Sequence, residues 1–199
     1  MVLPAYIDEE TGEIIDGEAW VTLASTTLGS AAATVTFTST NDGQVGDWSQ
    51  YMDLAIIWYA RCDNAGSSQT YLTMRFNNDT GGNYPYQFIR GQGSGTPNSG
   101  ESASPTYILL GMYPEDSVAA NLWAGGITWI HDINSGKNIS SIGLIGDCQE
   151  GIGEGVWLTG ASWVGQAAVA EIDITQLFGE DHKAGCRFDL FGILPRMVA

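Results

Sequence analysis

The acidic residues of segment 171–180, EIDITQLFGE, are the best candidates for catalysis in this sequence. Glu171 and Asp173 are two positions apart, so they would share one face of a β-strand, and paired carboxylates perform the acid–base and nucleophilic steps of glycoside hydrolysis. In the familiar pattern E-x-D-x-x-E, however, Gln176 stands where a second glutamate is expected. We therefore interpret Glu171 and Asp173 as the polar side of an edge strand and predict no catalytic residues, with a glycoside hydrolase as the alternative.

The polar segment FNNDTGGNY, residues 76–84, has the composition of a cation-binding loop. Asn77, Asp79 and Gly81 alternate as calcium ligands do, but the twelfth position of such a loop is Phe88, which cannot coordinate. Short Asn and Asp side chains also accept hydrogen bonds from backbone N–H groups two residues further on, and Gly81 with Gly82 can adopt positive φ. We predict a hook that binds its own backbone and no metal site, and calcium remains the alternative.

Other catalytic and cofactor motifs lack essential residues. No serine lies in G-x-S-x-G, and neither His131 nor His182 is near a Cys or Ser in a recognised arrangement. The glycine-rich segment GQGSGTPNSG has no following lysine or helical pattern, and GIGEGVW carries a glutamate where a phosphate would lie. The sequence predicts no cofactor.

The three cysteines, Cys62, Cys148 and Cys186, are far apart and form no C-x-x-C motif. A zinc or iron–sulfur site needs four converging ligands, and two histidines with these cysteines show no such spacing. We interpret them as buried thiols, while a disulfide within the fold or to a neighbouring subunit stays open.

The aromatic residues favour either a core or a sugar-binding surface. Seven tryptophans and eight tyrosines are enough for a lectin, because sugars stack on aromatic faces. Tryptophan is also a core residue of β-sandwiches, and Trp157 and Trp163 have apolar neighbours. We interpret most of them as core, with a carbohydrate-binding module that uses aromatics and the 92–104 loop as the alternative.

The charge balance excludes several classes of partner. Seven Lys+Arg against 23 Asp+Glu give a formal net charge of −16, which cannot neutralise a run of phosphates, so we predict no nucleic-acid binding. The same charge opposes binding to anionic lipid, and no apolar run approaches the ~20 residues of a membrane span. The first 17 residues, MVLPAYIDEETGEIIDG, lack the basic start and apolar stretch of a secretory signal, and we expect a cytosolic product.

The elements that must position these residues are strands. Short alternating or β-branched runs recur between Gly/Ser/Asn/Pro clusters, and in 70–77, TYLTMRFN, the apolar side chains fall on one face. The eleven predicted strands are 19–28, 33–40, 53–62, 70–77, 86–91, 106–112, 126–133, 140–147, 155–163, 167–175 and 186–194. Only 114–122 and 48–54 favour a helical turn. The pattern predicts an all-β, two-sheet antiparallel sandwich or jelly roll.

The domain organisation follows from the position of these runs. Residues 1–17 form an acidic segment with little periodicity, with six acidic residues among the first 18 positions. We predict an extended N-terminal arm over 1–17, a frayed terminus being the alternative, and a sandwich domain over 18–199.

Three segments resemble a poorly characterised group of virion proteins from tailed bacteriophages, many of them marine. They are YLTMRFNNDTGGNYPYQFIRGQGSG (71–95), EGVWLTGASW (154–163) and EIDIT…AGCRFDLFGI (171–193). The consensus sequence of the group is close to F-N-x-D-T-G-x-N-Y in the middle and G-S-x-F-x-L-Y-G-I at the end. In the second motif this chain has Cys186 in place of Ser and Phe191 in place of Tyr. The likeness covers about residues 20–194.

The resemblance implies a structural component of the virion, assembled in the host cytoplasm, and no catalytic residue. It favours a capsid decoration protein on the head surface, with a tail-fibre, receptor-binding or carbohydrate-binding module as the alternative. The expected partners are the major capsid protein or other virion subunits, and the expected state is a homo-oligomer, with a trimer favoured.

Overall fold

The computed structural model describes residues 20–67, 69–93, 95–147 and 155–194, together with the backbone of 6–7 and 14–15. Strands form where apolar and polar residues alternate, as in Thr34–Thr38, whose threonines are exposed and whose Val35 and Phe37 are buried. The strands are β1 (Tyr6–Ile7), β2 (Ile14–Ile15), β3 (Trp20–Thr27), β4 (Thr34–Thr38), β5 (Asp53–Ala60), β6 (Gln69–Phe76), β7 (Tyr86–Gln92), β8 (Asn98–Ser102), β9 (Ile108–Pro114), β10 (Ala124–His131), β11 (Ile139–Asp147), β12 (Gly155–Trp163), β13 (Glu171–Gln176) and β14 (Arg187–Ile193).

Two antiparallel sheets make up the sandwich. The large sheet has eight strands in the order β3-β14-β5-β10-β11-β12-β7-β8, and the small sheet has four in the order β4-β13-β6-β9. The predicted all-β, two-sheet sandwich is confirmed, and each of the eleven predicted strands overlaps an observed one. The two sheets contain one strand that the sequence pattern does not predict. It is β8, which lies within the segment 92–104, interpreted above as a loop.

The core lies between the two sheets. Alternate residues of the small sheet, such as Phe37, Met74 and Ile172, pack against alternate residues of the large sheet, such as Ile56 and Phe188. Strand β9, at one edge of the small sheet, lies against β10, β11 and β12. One face of the large sheet therefore forms the core, and its other face is turned away from the small sheet; we call it the outer face.

The two predicted helical turns have different outcomes. Residues Trp48–Gln50 form a 3-10 helix, whose first turn is capped where the Asp47 carboxylate accepts the N–H of Ser49. Segment 114–122 has no helix; Pro114 ends β9 and the residues after it make turns. These turns close around the buried side chain of Arg61, which donates hydrogen bonds to the carbonyls of Val118, Ala119 and Leu122.

Strands β1 and β2 form a separate antiparallel pair, in which Tyr6 lies opposite Ile15. The other residues of the predicted arm, 1–17, lie outside the described residues, so the arm stays a prediction. Within the described part of the chain, the structure contains no helix of the length and apolar character needed to cross a membrane.

Candidate interaction face

The outer face of the large sheet carries a row of exposed aliphatic side chains. The ladders place five residues opposite one another across five neighbouring strands, and we call them the aliphatic row: Ile57, Ile127, Leu144, Leu158 and Ile89. Four of the five are exposed, from 39% at Ile57 and Leu158 to 55% at Ile89. Single exposed apolar residues are ordinary, but a continuous row on one face marks a contact surface.

A second row runs beside the first, two residues along each strand. We call it the glycine row: Tyr59, Gly125, Gly146, Val156 and Gly91. A Cβ added at Gly146 would meet no atom within 4 Å, so the surface is low and open there. At the β7 end, Ile89, Gly91, Pro97 and Val156 line a depression of about 360 Å³.

Among the residues that the structure describes, the charges on this face lie at its border. The ten residues of the two rows carry no charge, although the chain has a net charge of −16. On the next strand, β14, Asp189 continues the aliphatic row beyond Ile57 and Arg187 continues the glycine row beyond Tyr59. The guanidinium Nε of Arg187 lies 2.8 Å from Oδ2 of Asp189. An apolar centre with a charged rim is the anatomy of a protein–protein interface.

The hook of residues 76–84 binds its own chain, as predicted. One oxygen of Asp79 accepts the backbone N–H of Gly81 at 2.8 Å, which is the predicted turn. The other oxygen accepts the indole N–H of Trp163 at 2.7 Å and the Asn83 amide at 2.9 Å. The indole and amide hydrogen bonds hold the pKa of the Asp79 carboxyl below its usual range. N–H donors occupy the sides on which a cation would have to approach Asp79.

The predicted role of the two glycines in the hook is wrong. The left-handed backbone is adopted by Asn77 (φ 51°) and Asn78 (φ 55°), and neither Gly81 nor Gly82 has positive φ. The glycines are needed for space, because a Cβ at Gly82 would lie 2.9 Å from the carbonyl oxygen of Ser104. Asparagine is enriched in left-handed backbone.

The calcium-type alternation of Asn77, Asp79, Gly81 and Phe88 does not assemble into one site. The side-chain oxygen of Asn77 accepts the N–H groups of Ala170 and Glu171, which fastens the hook to β13. Phe88 packs on Trp157 with ring centroids 4.8 Å apart. Within the described residues, no group of three or more His, Cys, Asp or Glu side chains is arranged to hold a metal ion.

Glu171 and Asp173 share the solvent-facing side of β13, as predicted, and Gln176 lies on its buried side. The predicted edge strand is wrong, because β13 pairs with β4 on one side and with β6 on the other. Asp173 accepts a hydrogen bond from the Thr36 hydroxyl at 2.6 Å, and Glu171 accepts one from the Asn78 amide. Gln176 bonds to Thr70 and accepts the N–H groups of Phe178 and Glu180. The third position of the hydrolase pattern therefore points away from the first two.

Tryptophans divide between the core and the surface. Trp48, Trp58, Trp157 and Trp163 are buried, as predicted for Trp157 and Trp163. Trp20, Trp123 and Trp129 are partly exposed. Trp123 stacks on Tyr59 with ring centroids 5.1 Å apart, and Tyr59 itself is half exposed at the end of the glycine row.

Two of the three cysteines are buried free thiols, as predicted. Burial raises the pKa of Cys62 to about 12 and that of Cys186 to about 11. The Cys186 thiol lies 3.2 Å from the carbonyl oxygen of Arg61. Cys148 lies outside the described residues.

The two rows of the outer face are not predicted from the sequence. Each strand shows the alternation that makes them, for example Ile142 and Leu144 between buried residues of β11. Their alignment depends on strand order and register, and β5, β10 and β7 are not consecutive in the chain. The local signal is the absence of charge along the central strands, as in 124–130, 139–146 and 155–163.

No protein-family model, curated protein or solved structure matches the chain.

Proposed function

We propose that this protein is a non-catalytic structural subunit of a bacteriophage virion, a capsid decoration protein on the head surface that acts through protein–protein contacts. The observation that carries the protein–protein part is the outer face of the large sheet, whose aliphatic row is exposed and uncharged. Apolar patches of this kind on a folded domain mark protein contacts. The proposed location in a virion rests on the resemblance of segments 71–95, 154–163 and 171–193 to phage proteins.

The charge of the chain supports a position on the outside of a particle. A protein on the outside does not contact the packaged genome and needs no basic surface for DNA. The excess of 23 acidic over seven basic residues is consistent with that position. In this proposal the predicted arm, residues 1–17, and the loop tips contact the major capsid protein or other virion subunits. Self-association is part of the proposal, and a trimer is the state expected from the resemblance.

The experiment is to purify particles that carry this chain and to measure its copy number against the major capsid protein by quantitative mass spectrometry. We expect stoichiometric copies on the shell. Deletion of residues 1–17 should reduce the copies per particle while the isolated protein keeps its melting temperature. A chain found in infected-cell lysate and missing from washed particles contradicts the proposal.

A carbohydrate-binding module of a tail fibre is the second candidate, favoured by the stacked pair of Tyr59 and Trp123. Tyr59 is half exposed and would offer its free face to a sugar ring. A glycan array tests it, with Tyr59→Ala as the loss variant and Phe178→Ala, which removes an exposed aromatic residue elsewhere, as the control. Glycan binding that Tyr59→Ala abolishes and Phe178→Ala preserves would favour this candidate over the decoration protein.

The non-catalytic part of the proposal has its own test. The wild-type protein and a Glu171→Ala/Asp173→Ala variant are incubated with a panel of polysaccharides, and reducing ends are measured. We expect no turnover by either protein. Turnover by wild type that is lost in the double variant would establish the hydrolase instead.

A further inference from the structure

The two rows on the outer face have the same spacing on every strand. From the aliphatic row to the glycine row the step is two residues, from Ile127 to Gly125 on β10 and from Leu144 to Gly146 on β11. Two residues of a strand extend about 6.7 Å, so a ridge of side chains runs parallel to a second row at that distance. The second row is low at Gly125, Gly146 and Gly91, where it can receive a ridge, and carries side chains at Tyr59 and Val156.

We propose that the outer face of the large sheet binds a second copy of this chain, face to face, about a two-fold axis that lies between the two rows and parallel to them. This inference rests on the proposed function in treating the face as a protein contact, and it replaces the trimer that the resemblance favours with a two-fold dimer. The rotation exchanges the rows and keeps each strand opposite its own equivalent. Two sheets packed in this way lie about 10 Å apart.

Shape complementarity supports the second copy as the occupant. The rotation places Ile127, Leu144 and Ile89 of one copy over Gly125, Gly146 and Gly91 of the other. Three of the five aliphatic side chains therefore meet a position without a side chain. The Ile89 side chain would enter the depression beside Gly91, which Pro97 and Val156 also line.

Charge complementarity supports the same arrangement. Asp189 extends the aliphatic row and Arg187 extends the glycine row on β14. The rotation that exchanges the rows places Asp189 of each copy opposite Arg187 of the other. Two ion pairs between the copies then close one end of the contact, and the uncharged centre lets two chains of net charge −16 approach without local repulsion.

The area of overlap is that of a small protein–protein interface. Because the axis lies near one end of the strands, the rotation overlaps five residues on each of the five central strands, such as 143–147 on β11 and 124–128 on β10. Five residues extend about 17 Å and five strands at ~4.8 Å spacing span about 24 Å, so roughly 400 Å² of each copy is covered, at the low end of protein–protein interfaces. An isologous face contact closes on itself as a pair, so it does not propagate into fibres.

The first experiment measures the mass of the purified full chain by light scattering and sedimentation. We expect twice the 21.3 kDa of the chain at 100 μM. Leu144→Lys places an ammonium group over the second copy's Gly146 and should weaken dimerisation at least 100-fold. The matched control is Thr38→Lys, which adds the same charge at an exposed position on the small sheet.

The second experiment tests the register and does not depend on destabilised variants. Proteins carrying Ile127→Cys and Gly125→Cys are mixed in equal amounts and treated with a short bis-maleimide, because backbones about 10 Å apart are too distant for a disulfide, and linked peptides are identified by mass spectrometry. We expect the 127–125 link between chains. Ile127→Cys mixed with Gly160→Cys, an exposed glycine in another row, is the control and should give at least tenfold less product.

A monomer at 100 μM, a trimer, a dimer that Leu144→Lys leaves intact, or equal linking of the control pair would overturn the pairing. These outcomes are separate from a failure of the proposed function. A monomer that is incorporated into particles contradicts the pairing alone, and a dimer that is missing from particles contradicts the virion role alone.

Discussion

The carboxylate of Asp79 accepts the indole N–H of Trp163 at 2.7 Å. Asp79 follows β6 of the small sheet, and Trp163 ends β12 of the large sheet. The bond therefore joins the two layers of the sandwich at one end. The hook FNNDTGGNY therefore links the two sheets, and its polar side chains form hydrogen bonds within the protein.

Removing this carboxylate should destabilise the fold. Asp79→Ala leaves the donors of Trp163, Gly81 and Asn83 without their acceptor, and we expect a loss of about 2 kcal/mol in the free energy of unfolding. Urea denaturation measures it. The control is Asp173→Ala, which removes the same charge and one exposed hydrogen bond to Thr36, and should cost under ~1 kcal/mol.

The effect of Asp79 should also depend on pH. Its pKa is lowered in the folded protein, so its stabilisation is present above the unfolded pKa of about 3.9 and is lost as pH falls through the folded value. The difference between wild type and Asp79→Ala should be constant from pH 5 to 8 and shrink below pH 4. A difference that persists at pH 2 would show that the carboxylate charge is not what the hook uses.

Local features of the sequence predict most of the fold, but they do not predict the candidate face. Alternation in TYLTMRFN predicts β6, because the side-chain period of a strand is local. Strand β8, NSGES, was missed because an edge strand with one neighbour needs no apolar side chains. The aliphatic row was missed because Ile57 and Ile89 become its ends only when five strands align, and alignment is a long-range property.

The packing of Gly126 predicts a sharp contrast between two glycines in the large sheet. A Cβ at Gly126 would lie 2.8 Å from the Trp58 ring and 3.0 Å from Ile145, inside the core. Gly126→Ala should therefore lower the free energy of unfolding by about 1 to 3 kcal/mol. Thermal and urea melts measure it.

Gly160 on β12 is the matched control, because a Cβ there would meet nothing within 4 Å. Gly160→Ala should change stability by less than ~0.5 kcal/mol, or raise it slightly through the lower entropy of the unfolded chain. Equal effects of the two substitutions would mean that backbone flexibility, and not the contact with Trp58, decides the cost at Gly126.

The buried thiols should resist alkylation in the native protein. Cys62 and Cys186 are inaccessible, and burial raises their pKa to about 12 and about 11, so the reactive thiolate is scarce even at pH 9. Iodoacetamide labelling followed by peptide mass spectrometry should show no modification of either residue at pH 9, and complete modification in 6 M guanidinium. Native labelling of Cys62 within minutes would contradict the buried environment described for it.

His182 should make the protein less stable in mild acid. Its imidazole is fully buried, with Nδ1 3.2 Å from the Tyr113 hydroxyl and Nε2 3.2 Å from the carbonyl oxygen of Ile174. Burial lowers the pKa of His182 below its ordinary value of about 6.5, so the unfolded chain takes up the proton first. The stabilisation from the neutral ring is complete above pH 6.5 and is lost as pH falls below it.

The free energy of unfolding should therefore fall between pH 7 and 5.5 with a slope of up to ~1.4 kcal/mol per pH unit. His182→Gln, which keeps a donor and an acceptor, should lower stability at pH 7 and remove most of that slope. The slope of the wild-type protein, measured in the same buffers, is the reference. An amide does not titrate, so His182→Gln must change the slope if His182 takes up the proton on unfolding. A variant that retains the wild-type slope would show that other groups take up the proton.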